Sequence, residues 1–339
     1  VGRLADARRA AKPPIGDGPT GARKVLQRTI AKTLEPEKEN RYPSGAELAA
    51  ALDGASAHRA AEREFPKRGL LTRSMQRAAL VWLMVLVAIP QFISSAVNIA
   101  YNMSEIGKKL DDDQWSLFWN GLVPGYNVVV YPLLLGLGLL VTLPVFRVWS
   151  EVRGTERADP ERVQEARRRA LRLPLWLLML VAAGWLPGGL LFPLLIDWLQ
   201  GPIGWNIYAH FVTSFTLSGL IAAAYSFAGL QFLVLRVMYP GLWVDATDFR
   251  NVARQELASS LWRIRFIPTL SYSIPVVAVL LIGAASLADT VISEREGIEP
   301  SLLMICCCLN LLGLVGVVVV GAAARSMSRT VVALTGRQA

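Results

Sequence analysis

The sequence predicts an all-α fold, a six-helix transmembrane bundle with a short polar helical segment in front of it. Three observations carry that prediction. Charged residues make up 18% of the 339 residues, against about 25% in an ordinary soluble domain, and they crowd into residues 1–77 and a few short clusters. Six charge-free stretches reach the roughly 20 residues that a helix needs to cross a bilayer: 78–104, 114–146, 173–196, 198–235, 266–288 and 300–324. Finally, Lys and Arg alternate between many and few from one flank of these stretches to the next.

The elements follow in order. Residues 20–34 predict a helix with Leu26, Ile30 and Leu34 at i, i+4 and i+8, a narrow apolar stripe that needs a partner surface. Ser44-Gly45-Ala46-Glu47 reads as a capping box: the Ser hydroxyl takes the third helical amide and Glu47 reaches back to the cap. Pro43 enforces an extended approach, and Leu48 and Leu52 follow one turn apart. A helical pair of about fifty residues has too little core to stand alone. Residues 55–77 form a helical, basic juxtamembrane connector suited to anionic lipid. The chain begins at Val1 without a signal peptide, so it is expected to be a piece of a longer protein.

The spans are placed at about 79–101, 122–146, 174–196, 207–235, 266–288 and 301–324, making 78–325 the membrane domain and 326–339 a tail. Tyr101, Trp115, Trp119, Trp149, Trp198, Trp205 and Tyr239 gather near span ends, where aromatic belts sit. Between spans, Asp159-Pro160-Glu161 is a helix start with Asp as N-cap and Pro in the first turn. Asp248 opens another, with Phe249, Val252, Leu257 and Leu261 towards one side. The acidic triplet at 111–113 reads as a solvated loop rather than a cation site. Cys306, Cys307 and Cys308 are adjacent in an apolar run and read as small apolar filler, with no metal spacing. Pro90, Pro124, Pro132, Pro144, Pro187 and Pro193, with Gly188 and Gly189, mark candidate kinks. His210 is the one ionisable group inside a span, shallow enough for an interfacial hydrogen bond; the sharper reading makes it a pH or ligand sensor.

Orientation follows from the flanks. Residues 57–77 hold six Lys and Arg, 105–113 two, 147–172 eight, 197–206 none, 236–265 five, 289–299 one, and the tail from Arg325 three. Alternate flanks therefore total 22 against 3. By the positive-inside rule both termini are cytoplasmic and the protein sits multi-pass in an inner (plasma) membrane. Topology accounts for most of the net charge of +9, so nucleic acid is not an expected partner.

The run KVLQRTIAKTLEPEKENRYPSGAELAAALDG resembles the end of the C-terminal lobe of a bacterial, eukaryotic-like serine/threonine protein kinase. The matching residues are Ala31, Lys32, Leu34, Pro36, Arg41, Tyr42, Pro43, Ser44, Glu47, Leu48 and Leu52, within residues 20–54. The resemblance implies that residues 1–54 are a kinase-domain remnant. In that family the arginine matching Arg41 pairs with the glutamate of an Ala-Pro-Glu motif, which this chain lacks, so Arg41 is expected to be exposed or orphaned. The glycine-rich loop, HRD loop and DFG motif are absent too, so no catalytic, cofactor-binding or metal residue is assigned in this chain. ATP and Mg2+ are implied for the intact kinase only. Its implied partners are the lipid bilayer, the missing upstream kinase domain, protein substrates and a second copy in a homodimer. The alternative is a non-enzymatic six-helix membrane protein, a transporter or receptor, with a chance kinase-like helix pair. Against ion-coupled transport stand spans without charge and the lack of a visible internal repeat.

Overall fold

The structure is a computed structural model that describes residues 21–67, 69–154, 158–293 and 300–336. All regular structure among these residues is helical. A hairpin of α1 (Ala22–Thr33) and α2 (Gly45–Glu64) comes first, followed by the two-turn α3 (Leu70–Arg77). The longer elements are α4 (Ala79–Tyr101), α5 (Val123–Arg153), α6 (Pro160–Trp185), α7 (Gly188–Gln200) and α8 (Trp205–Leu233). Short α9 (Phe249–Glu256) leads into α10 (Ser260–Ser293) and α11 (Pro300–Thr335). Single π turns extend α4 over Asn102–Ile106, precede α5 over Leu117–Leu122 and extend α8 over Val234–Met238.

Among the described residues, five helical runs are long and apolar enough to cross a membrane: Ala79–Ile106, Asp112–Arg153, Pro160–Gln200, Trp205–Gly241 and Leu303–Thr335. The predicted span 266–288 falls in α10, where the apolar stretch among the described residues is the shorter Ser273–Ala284. The most apolar window of the fourth run, which contains α8, is 72% buried inside the protein, against 11–28% in the other four. So α8 is the axle of the bundle, packed against α4, α6, α7, α10 and α11. The outer helices turn Leu133, Leu140, Leu194 and Val318 outward, the arrangement that suits lipid as solvent.

The prolines act unequally. Pro90, Pro132, Pro144 and Pro193 lie within continuous helices, whereas Pro187 sits at the break between α6 and α7. Gly188 follows the break because α7 runs against α8 there: a Cβ on Gly188 would strike the Phe215 ring.

The helical hairpin and α3 gather at one end of the bundle, called basal below, with the C-terminus of α5, the end of α8, α9 and the last turns of α11. The opposite, distal end carries the start of α8 and the Asp112–Leu122 segment. Asp159 caps α6 as expected, accepting from the Glu161 amide at 3.1 Å.

Three expectations need correction. The stripe Leu26, Ile30, Leu34 is not the buried face of α1: Ile30 is 48% and Leu34 63% exposed, while Ala22, Val25 and Thr29 are buried. Leu26 is partly buried against the core, while Ile30 and Leu34 are left on the far side. The acidic triplet is no plain loop, since Asp111 forms a complete capping box with Gln114 and starts the Asp112–Ser116 helix. Ser44 accepts from the Glu47 amide (3.2 Å), but Glu47 is exposed and only this half of the predicted box forms. The tail drawn from residue 326 is helical as far as Thr335, a continuation of α11, with Met327, Val331 and Leu334 fully buried.

Candidate functional site

Two polar assemblies lie at opposite ends of α8. The distal one is a seam between α4 and α8. A 3.6-residue period puts Ser94, Asn98, Tyr101, Asn102 and Glu105 on one face of α4 and its π turn, and His210, Ser214 and Ser218 on one face of α8. All eight are buried. Asn98 Nδ2 donates to Ser214 Oγ (2.8 Å), Ser214 Oγ donates to Asn102 Oδ1 (2.6 Å), and Asn102 Nδ2 donates back to Asn98 Oδ1 (3.0 Å). Three side chains thus close a ring of hydrogen bonds across the interface. One turn outward, Tyr101 Oη and His210 Nδ1 share a hydrogen bond of 2.8 Å. Glu105, 2% exposed, is neutralised by Lys109 at 3.3 Å.

Beside the seam, α4, α5 and α6 border an apolar cleft of about 460 Å³, within the size range of small-molecule sites. Its polar wall groups are partly occupied: Gln91 Oε1 accepts from Trp185 Nε1 (2.7 Å), and Tyr126 donates to the Gly184 carbonyl (3.0 Å).

The basal assembly clamps the hairpin to the bundle. Lys24 Nζ donates to the carbonyls of Arg153 (2.6 Å) and Gly154 (2.8 Å), and Arg28 donates to that of Val152 (3.2 Å). Two cations of α1 therefore cap the C-terminus of α5, where carbonyls lack helical partners and the helix dipole favours positive charge. Burial pulls the Arg28 guanidinium below its ordinary pKa. On α2, Ala51, Gly54, Ala55, His58 and Ala61 are buried. Gly54 meets the carbonyl of Ala246 so closely that a Cβ would collide with it.

His58 enters the aromatic wall formed by Phe249 and Trp243, with ring centroids 4.7 and 5.9 Å away. Neither of its ring nitrogens has a hydrogen-bond partner among the described residues. Desolvation, helped by the Arg167 charge, lowers its pKa to about 3. Arg167 is the keystone of the wall. It holds Glu256 through two hydrogen bonds (2.6 and 3.0 Å), donates to the Leu242 carbonyl (3.3 Å) and lies 3.9 Å over the Trp243 ring. Tyr239 Oη also donates to Glu256, at 3.0 Å. The buried carboxylate is thereby fully dressed.

The residues carrying the kinase resemblance lie together where α1 turns into α2. Exposed Arg41 donates to the carbonyls of Glu35 (2.6 Å) and Pro36 (3.0 Å), so it ties its own turn rather than standing orphaned. Lys32 stacks 4.4 Å over Tyr42, and Leu48 is half-buried. His210 belongs to the distal seam instead. Of the seam residues the sequence marked only His210 and, as a belt aromatic, Tyr101; the i, i+4 runs Ser94-Asn98-Asn102 and His210-Ser214-Ser218 carried the signal for the rest. Nothing marked His58, whose role exists only through the wall that α9 brings to it.

Among the described residues, no group of three or more His, Cys, Asp or Glu is placed to hold a metal. Beyond the hydroxyl–imidazole pair of Tyr101 and His210, hydrogen bonds in both assemblies join separate helices. The seam ties α4 to α8, the clamp ties α8 and its neighbours to the hairpin, and one helix runs between them. No protein family, characterised protein or solved structure matches the chain.

Proposed function

We propose that this chain is the membrane portion of a membrane-anchored serine/threonine protein kinase, with α1 and α2 as the end of the kinase lobe. In this reading six helices cross the inner membrane, both termini are cytoplasmic, and the basal end faces the cytoplasm, where ATP is. The intact protein would transfer the ATP γ-phosphoryl group to Ser or Thr of protein substrates, using ATP and Mg2+ bound upstream of this chain. The bundle anchors the kinase and passes a signal to it.

One observation supports this reading most. The hairpin is not tethered by a loose linker but gripped by the bundle through Lys24, Arg28, Gly54 and His58. A shift of α8 or its neighbours would therefore be delivered to the hairpin as a rigid displacement. The coding sequence upstream of Val1 is the decisive test. An HRD loop and a DFG motif are expected within the preceding ~250 residues, an ordinary span for a two-lobed domain. An upstream frame without them overturns the kinase assignment.

A receptor or transporter without enzymatic activity is the second reading, and the closed polar ring of Asn98, Asn102 and Ser214 favours it. Buried polar groups inside a membrane commonly mark substrate paths. Uptake of solute by vesicles containing this chain alone would support it.

A further inference from the structure

A second cavity, of about 630 Å³, opens where α2 meets α3 at the basal end. Four cations line it: Arg59 and Arg63 from the last turns of α2, Lys67 from the connection, and Arg73 from α3. All four are exposed and none forms an ion pair among the described residues, while Glu62 is the single carboxylate in the wall. Several other basal cations are engaged: Lys24, Arg28, Arg153, Arg167, Arg250 and Arg254 all donate to carbonyls or carboxylates. Pro66, also in the wall, is held to the central helix run, since its carbonyl accepts from Arg236 at 2.9 Å.

The neighbouring surface supplies the other half of an amphiphile site. Leu70 is 85% and Leu71 50% exposed at the start of α3, while Thr72 and Met75 are buried beneath. Trp82, one turn into the first long helix, donates to Ser74 of α3 at 2.9 Å, the kind of anchor that sits at headgroup level. A helix with aliphatics on one side and arginines beside them lies in the plane of a membrane interface.

We propose that this cavity binds the phosphate of an anionic phospholipid, with Leu70 and Leu71 seated among its acyl chains. Free phosphate shares the headgroup chemistry, but it would make no use of the two leucines. The proposal rests on the membrane placement above and is indifferent to the kinase assignment.

The test uses the full chain in neutral detergent micelles doped with phosphatidylglycerol or phosphatidylcholine, with retained lipid counted by native mass spectrometry. Phosphatidylglycerol should be retained in preference to phosphatidylcholine. Arg63→Gln and Arg73→Gln should each lower its retention roughly fivefold, the effect of one cation beside an anionic surface. Leu70→Ser with Leu71→Ser should lower it as well, whereas Arg169→Gln, an exposed change on α6, should leave it alone. These side chains are exposed, so unfolding midpoints should match the wild type. Equal retention of both lipids, or arginine variants that keep the wild-type preference, would overturn the proposal. So would inorganic phosphate that displaces the lipid equally well from the wild type and the leucine variant, which would assign the cavity to soluble phosphate.

Discussion

Arg236 donates from the π turn at the end of the central helix run to the carbonyl of Pro66, 2.9 Å away. Pro66 lies in the break between α2 and α3, so one side chain joins the axle of the bundle to the strap between hairpin and first long helix. The same guanidinium donates to Thr330 of α11 at 2.9 Å. A π turn widens the helix by one residue, and such turns often sit where a helix must present a functional group. Arg236→Met should therefore loosen the strap. The expected loss is roughly 2 kcal/mol, as for a hydrogen bond from a charged group. Limited proteolysis should show faster cleavage in the connector around Pro66, and Thr330→Val should produce a smaller change.

His58 gives the clamp a pH dependence with a definite sign. Its docked pKa is about 3 against an ordinary 6.5, because burial and the Arg167 charge oppose protonation. The undocked hairpin binds the proton and the docked one refuses it. Docking is therefore strongest above about pH 6.5 and weakens by up to tenfold per unit as pH falls towards 3. Protection of the α2 amides, corrected for the intrinsic exchange rate that itself slows as pH falls, should drop between about pH 7 and about pH 5. His58→Leu should flatten that dependence. It should also stabilise the clamp by roughly 1–2 kcal/mol, since a buried polar group without partners costs about that much.

Gly54 is held to glycine by proximity rather than by backbone angle. A Cβ at Gly54 would collide with the Ala246 carbonyl, whereas one at Gly45, at the start of the same helix, meets nothing within 4 Å. Gly54→Ala should cost about 1–3 kcal/mol as overpacking and free α2 from α9. Gly45→Ala should be neutral or stabilising by up to about 1 kcal/mol. Thermal unfolding and protection of α2 amides separate the two. A Gly54→Ala protein with wild-type protection would show that the hairpin is not gripped there.

Much of this architecture was legible in the chain because its causes are local. The charge-free runs, the Asp159-Pro160 cap and the two helices around Ser44 follow from hydropathy and caps, and the helices form where expected. Asp111-x-x-Gln114 carried the same kind of signal, hidden because three acidic residues in a row invite a charge reading. The docking of the hairpin was not legible. Its contacts rest on Ala51, Gly54, Ala55 and His58, small or ordinary residues whose meaning comes from Ala246, Trp243 and Phe249 nearly two hundred positions away. The stripe of α1 misled for the complementary reason: periodicity identifies an apolar face but not whether a neighbour covers it. His210 drew notice through its charge, while Asn98, Asn102 and Ser214, neutral but equally buried, did not.

The ring joining those three residues predicts how strongly α4 and α8 depend on each other. Each member donates once and accepts once within the ring, so deleting Ser214 strands both asparagines, whereas deleting Asn98 strands the acceptor on Ser214 and the donor on Asn102. In water a stranded buried group costs about 1–3 kcal/mol. Inside a membrane the unfolded helices find other partners, and measured couplings average about 0.6 and reach about 1.7 kcal/mol. The membrane value governs if the seam lies within the bilayer. Ser214→Ala and Asn98→Ala should each destabilise the protein by about 1 kcal/mol. The double variant should cost less than their sum, by a coupling of about 0.6–1.7 kcal/mol. Unfolding midpoints in micelles for the four proteins of the cycle give that coupling directly. Strict additivity would mean that the ring is not formed, and that α4 is held to α8 by apolar packing alone.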